Sequence, residues 1–308
     1  MRGLPIFALL CLFHFTYFNA ASAADGYEAR GNSNAVLSYE LLESSHAYNH
    51  PSSLEITRNN THIAAAACGD SEGEGTRICV YRKPSGGSWS QVGHWAPSAG
   101  PGFDPVVFEP SDPDAPLILW YYGNCCEVQF MRISTDDGQT WSDEFETPAA
   151  PSGYPANYSD GRIEGPEQNP PMELPDGSLL CSNSLYNGSN NRSNMVTKIP
   201  KDYYMSPGLA GGTVAAQWSF VQPEGLGGSG AFLVFDPPAY QKLGLVIRPW
   251  AGPGKAHAQS EILFSSDGGD SWSSTSSLEN RGAKMRAGNT ALSIDEFGGP
   301  QQGWHLAA

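Results

Sequence analysis

Apolar residues along this chain come in short runs separated by polar turns, and the runs return in a fixed order. Ser53–Ile56 pairs with His62–Cys68, Val106–Phe108 with Leu117–Tyr122, Pro171–Leu174 with Leu179–Ser182, and Phe232–Phe235 with Leu243–Arg248. Runs this short, bounded by Gly, Pro, Asp and Asn, predict β-strands. In two units a third run, Val128–Ile133 or Glu261–Phe264, leads into a distinctive turn. The turns are Ser134-Thr135-Asp136-Asp137-Gly138-Gln139-Thr140-Trp141 and Ser265-Ser266-Asp267-Gly268-Gly269-Asp270-Ser271-Trp272, both of the form S-x-D-x-G-x-[ST]-W. Such an Asp can accept backbone N–H groups, and Gly can supply positive φ. The Trp then packs on a neighbouring sheet. Ser134, Asp136, Gly138 and Trp141, with Ser265, Asp267, Gly269 and Trp272, are therefore expected to be structural.

The tryptophans set the period. A degenerate turn with Pro84 in place of the Asp ends at Trp89, and a looser one ends at Trp218 after an insertion over Tyr203–Gln217. Trp89, Trp141, Trp218 and Trp272 are spaced by 52, 77 and 54 residues, a repeat with one insertion. Each unit reads as a four-stranded meander, strands a to d, which is the blade of an all-β propeller. A fifth unit, Thr290–Ile294 and Trp304–Ala307, stops at its second strand. The expectation is thus a ring truncated after about four and a half blades.

Composition adds a compartment. Residues 1–23 read as a secretory signal, with Arg2, an apolar Ile6–Tyr17 and an Ala21-Ser22-Ala23 cleavage site. A lead-in follows over 24–43 and the propeller domain over 44–308. No stretch is long and apolar enough to predict a membrane span. A net charge of −15 argues against nucleic acid or an anionic membrane as a partner. Five cysteines follow the signal, and Cys68 with Cys79, flanking one loop, is the preferred pair. Sequons begin at Asn59, Asn157, Asn187 and Asn191. No local Cys or His spacing points to a metal, and no motif calls for a cofactor.

In a meander the a–b and c–d turns share one end of the sheet, and the b–c and d–a connections share the other. The repeat turns are c–d, so function is expected at the opposite end, where the connections are long and polar. These connections bring Glu74, Asp104 and Glu164 to one mouth as candidate catalytic carboxylates. His46, Arg162, Asn169, Arg248 and Arg286 gather there as candidate substrate-binding groups. Asp104, Glu164 and Arg248 adjoin inner strands and should point toward the axis.

The repeat turns resemble the Asp boxes, or BNR repeats, of the sialidase-like superfamily. The segment Gly165-Pro166-Glu167-Gln168-Asn169-Pro170-Pro171-Met172-Glu173-Leu174-Pro175-Asp176-Gly177-Ser178-Leu179-Leu180 is similar to the G-P-x-x-N-x-P-x-x-L-x-D-G-x-L-L signature of its BNR-repeat-like neuraminidase branch. Ser45-His46-Ala47 and Asp104-Pro105-Val106-Val107-Phe108 fit less specifically. The resemblance implies a six-bladed propeller with its site opposite the boxes, and a glycan as ligand. Sialidases hold the substrate carboxylate with three arginines, the first in an R-I-P motif. Here that region reads His50-Pro51-Ser52-Ser53-Leu54, without arginine. The reading is a secreted exo-glycosidase of sialidase type. The alternatives are a non-catalytic glycan-binding propeller, using aromatics such as Tyr48 and Phe103, and a protein-binding propeller of receptor type.

Overall fold

The computed structural model describes residues 46–71, 73–124, 128–147, 165–166, 169–186, 192–205, 217–220, 230–235, 239–247 and 261–277. They form four antiparallel sheets of four strands, each a meander in chain order. The first contains β1 (Tyr48–Ile56), β2 (His62–Gly69), β3 (Arg77–Lys83) and β4 (Ser90–Trp95). The second contains β5 (Gly102–Phe108), β6 (Leu117–Gly123), β7 (Val128–Ser134) and β8 (Phe145–Glu146). The third contains β9 (Met172–Glu173), β10 (Leu179–Tyr186), β11 (Arg192–Ile199) and β12 (Gln217–Phe220). The fourth contains β13 (Gly230–Val234), β14 (Leu243–Ile247), β15 (Glu261–Ser265) and β16 (Ser273–Ser277). The expected signal, the lead-in and the fifth unit lie outside the described residues.

Apolar alternation explains how the sheets stack. Side chains of a strand point alternately to its two faces. On β6, Leu117, Leu119 and Tyr121 face Ile63, Ala65, Ile78 and Val80 of the first sheet. Ile118 and Trp120 face Leu179, Cys181 and Ile199 of the third. On β10, Leu180 turns the other way, to Leu243, Leu245 and Leu263 of the fourth. Because both faces of an inner strand are covered, β6 is buried along its whole length and reads as one unbroken apolar run. Each buried aliphatic side chain contributes about 1.5–3 kcal/mol, so the three inter-sheet layers carry most of the stability.

Two details depart from the sequence reading. The stretch read as an insertion from Tyr203 begins as a short helix, α1 (Lys201–Met205), with Tyr203 and Tyr204 buried against the second and third sheets. Trp218 lies inside β12, opposite Thr197, rather than closing a turn. Cys68 and Cys79 form a disulfide, and Cys181 is buried.

Candidate functional site

The two ends of the sheets are built differently. At the turn end, Ser134 Oγ donates to Asp136 Oδ1 at 2.8 Å and accepts from Gly138 N at 2.9 Å. Thr140 N and Oγ1 donate to the two oxygens of Asp136 at 2.9 and 2.6 Å. Ser265, Asp267, Gly269 and Ser271 repeat this pattern, with Gly269 N 2.8 Å from Ser265 Oγ and Ser271 N 2.9 Å from Asp267 Oδ1. Trp272 Nε1 closes that turn on Gly269 O at 3.0 Å. Partial burial opposes ionisation of Asp136 and Asp267, but the donated hydrogen bonds outweigh it and hold both below the usual carboxylate range.

These turns also join sheet to sheet. Gly138 (φ 78°) sits so close to the first sheet that a Cβ would lie 2.5 Å from Ile63 Cδ1. Gly269 (φ 90°) meets the third sheet likewise, 2.7 Å from Leu180 Cδ1. Asp137 accepts from Thr57 Oγ1 at 2.7 Å, Thr61 Oγ1 at 2.5 Å and Arg82 Nη2 at 3.0 Å, all from the first sheet. In the third sheet, which lacks the motif, α1 takes this place. Lys201 pairs with Asp112 of the second sheet, and Tyr204 donates to Gly177 O at 2.6 Å.

At the opposite end the strands carry irregularities and buried polar groups. The β5–β6 register breaks between Phe103 and Val106, around Asp104-Pro105. Asp104 is 7% exposed and has φ 47°, a left-handed conformation uncommon outside glycine. The β1–β2 register breaks at the matching place, between Asn49 and Ser52 around His50-Pro51. Phe103 is paired with Tyr122, whose hydroxyl donates to Asn183 Oδ1 of the third sheet at 2.9 Å. Asn183 is 0% exposed, and its Nδ2 and the neighbouring Ser182 Oγ have no hydrogen-bond partner among the described residues. Asn169, also buried, precedes β9 at this same end.

The Gly165-Pro166 step is clamped here. Gln129, fully buried, accepts from Gly165 N at 2.5 Å and donates from Nε2 to Pro166 O at 3.2 Å. Gly165 lies on the indole of Trp120, where any side chain would clash. Both residues thus have a packing role that leads the chain to Asn169.

Of the residues singled out from sequence, Asp104 and Asn169 are buried at this end. Glu74 is exposed in the β2–β3 connection at its edge, and His46 is half-buried before β1. That connection is tied to the second sheet through Gly102 N and Thr76 O, 2.8 Å apart. Arg162, Glu164, Arg248 and Arg286 lie outside the described residues. The structure adds Tyr122, Gln129 and Asn183, which sequence reasoning passed over, and an exposed cation, Arg77, at the start of β3. Their only sequence signal was polarity at the ends of apolar runs. Chemically, this end offers a buried carboxyl and several buried neutral donors and acceptors, a set suited to a polyhydroxylated ligand.

No protein family matches the chain, and no curated protein is similar to it in sequence. Solved structures do share its fold. A protein of unknown function from Dyadobacter fermentans aligns with a TM-score of 0.55 at 14% identity, over 74% of this chain and 68% of that one. A Hadza microbial sialidase aligns at 0.52 and 14%, over 76% of this chain and 48% of that one. The NanB sialidase of Streptococcus pneumoniae aligns at 0.52 and 10%, over 80% of this chain and 55% of that one. The fold is that of a sialidase-type β-propeller. The chain spans about half the length of these two sialidases.

Proposed function

We propose that this protein is a secreted exo-glycosidase of sialidase type, acting on the terminal sugar of a glycan, with acidic sugars among its substrates. The observation that carries the reading is Asp104, a carboxyl buried in a left-handed bulge at the end opposite the repeat turns. Backbone strain of this kind persists where the surroundings over-determine it, and it clusters at active sites. Asp104 or the more exposed Glu74 would protonate the leaving oxygen, and Glu164 would assist the anomeric centre. Arg162, Arg248 and Arg286 would bind an anionic group, with Asn169 orienting the ring. The 1–23 signal reading and the Cys68–Cys79 disulfide support an oxidising, extracellular setting.

A second reading, glycan binding without turnover, is favoured by the region His50-Pro51-Ser52-Ser53-Leu54, which lacks the first arginine of sialidases. The two separate cleanly. The protein, expressed through a secretory pathway, is assayed on aryl glycosides that include a sialoside. Hydrolysis that falls at least about a hundredfold in Asp104→Asn supports the enzyme. Saturable glycan binding with no turnover supports the binding propeller.

A further inference from the structure

On the first sheet, four metal-binding side chains converge from positions with no local spacing in the sequence. His46, Cys68, Cys79 and His94 place one donor atom each within 4.8 Å of all the others. The fold accounts for the meeting. Cys68 is on β2, Cys79 on β3, and His94 on β4 directly opposite Cys79. His46 precedes β1 at the far edge of the sheet, and Asn49 Nδ2 holds its carbonyl at 3.2 Å. Its ring lies 5.5 Å from that of His94, so the lead into β1 crosses the sheet to reach β4. This is the face turned away from the second sheet: Cys68 and Cys79 cluster with Ala64 and Tyr81, apart from the Ile63 and Val80 layer.

We infer that His46, Cys68, Cys79 and His94 form a redox-gated zinc site, closed by a disulfide when oxidised and by Zn²⁺ when reduced. Two cysteines and two histidines are a complete tetrahedral zinc set. With Zn–S near 2.3 Å and Zn–N near 2.0–2.1 Å, the donors of such a site stand roughly 3.3–3.8 Å apart. The observed spread needs only a small adjustment, and the sulfurs separate on reduction in the direction that coordination requires. A second feature fits a thiolate: Gln91 Nε2 donates to Cys79 Sγ at 3.5 Å. Outer hydrogen bonds of this kind orient the ligands of metal sites.

The chemistry balances. Reduction by two thiol equivalents transfers two electrons and two protons to Cys68–Cys79, and the reductant leaves as its own disulfide. Binding of Zn²⁺ then releases the two thiol protons to solvent. Oxidation reverses both steps and expels the metal.

The test uses the full chain, oxidised or reduced with a phosphine, which takes oxygen from water as the S–S bond breaks and does not compete strongly for zinc. Equilibrium dialysis should find a single zinc ion per reduced chain and none on the oxidised chain. Cobalt should give the thiolate charge-transfer and tetrahedral d–d bands. His46→Ala and His94→Ala should each weaken zinc binding by at least about a hundredfold, since even outer-partner changes cost 10–100-fold. Both variants should still form the disulfide. Where reduction unfolds the chain, zinc should restore its circular dichroism in the wild type and not in the histidine variants. Absence of zinc uptake, or uptake equal in wild type and histidine variants, would overturn the inference. The second result would assign the metal to other thiols.

Discussion

The turn end and the opposite end of the same sheets handle polar groups in contrasting ways. Asp137 and Asp104 show the difference, for both are aspartates at positive φ, 60° and 47°. Around Asp137 the carboxylate is consumed by Thr57, Thr61 and Arg82 of the adjoining sheet. Burial opposes its ionisation, yet those bonds prevail and hold it below the usual range. Asp104 sits in a ladder irregularity at the other end of the sheets, the end where Ser182 Oγ and Asn183 Nδ2 are buried without a hydrogen-bond partner among the described residues. Polar groups saturated by the protein itself hold sheets together. Buried polar groups left with hydrogen-bonding capacity suit a ligand.

The largest break in this contrast should come from Gly138→Val. Positive φ and a Cβ placed 2.5 Å from Ile63 combine in one substitution. Thermal or denaturant unfolding should show a loss of about 3 kcal/mol or more. Gly73→Ala sharpens it, because Gly73 has φ 102° but nothing within 4 Å of a Cβ. The backbone alone should then cost about 1 kcal/mol. At the other end, Asp104→Asn should remove about 2.7 kcal/mol of transition-state stabilisation, a hundredfold in rate, with the unfolding midpoint held.

Smaller effects follow. Tyr122→Phe removes the hydrogen bond donated to Asn183 Oδ1 and should cost about 1–2 kcal/mol in unfolding free energy. The pH dependence should have two sides. Asp136, Asp137 and Asp267 have lowered values, so their contribution is complete above the unfolded value of 3.8 and is lost as pH falls through the folded values. Glu55 runs the other way. Burial, helped by the charge of Glu109, pushes it up from 4.5 to about 8, so the folded state holds a proton the unfolded state has released. Stability from this group therefore falls as pH rises from 4.5 to about 8 and then levels. Glu55→Gln should flatten that decline in a pH series of unfolding midpoints.

Much of the scaffold was readable from the chain because its period is local. The Leu117–Tyr122 run and the Ser134–Trp141 turn specify β6, β7 and the link between them through neighbours in sequence. Helix α1 was not readable, since Lys201–Met205 is too short to show a helical period. The candidate site was legible only in part. Asp104 stood out as a carboxylate at the start of a strand. The Tyr122–Asn183 bond joins residues 61 apart on different sheets, and no spacing announces it. The Gly165-Pro166 segment was recognised as a motif, but its physical reason, the indole of Trp120 and the amide of Gln129, lies elsewhere in the chain. Likewise, His46, Cys68, Cys79 and His94 become neighbours only once the register of four strands is fixed.

The most direct test of the division between the two ends is a paired measurement on Asp104→Asn and Asp136→Ala. Each is followed for glycoside hydrolysis below its unfolding transition and for its unfolding midpoint. The account predicts that Asp104→Asn loses activity at an unchanged midpoint, while Asp136→Ala lowers the midpoint and keeps activity as long as it is folded. Full activity in folded Asp104→Asn, or a catalytic loss in folded Asp136→Ala, would contradict it.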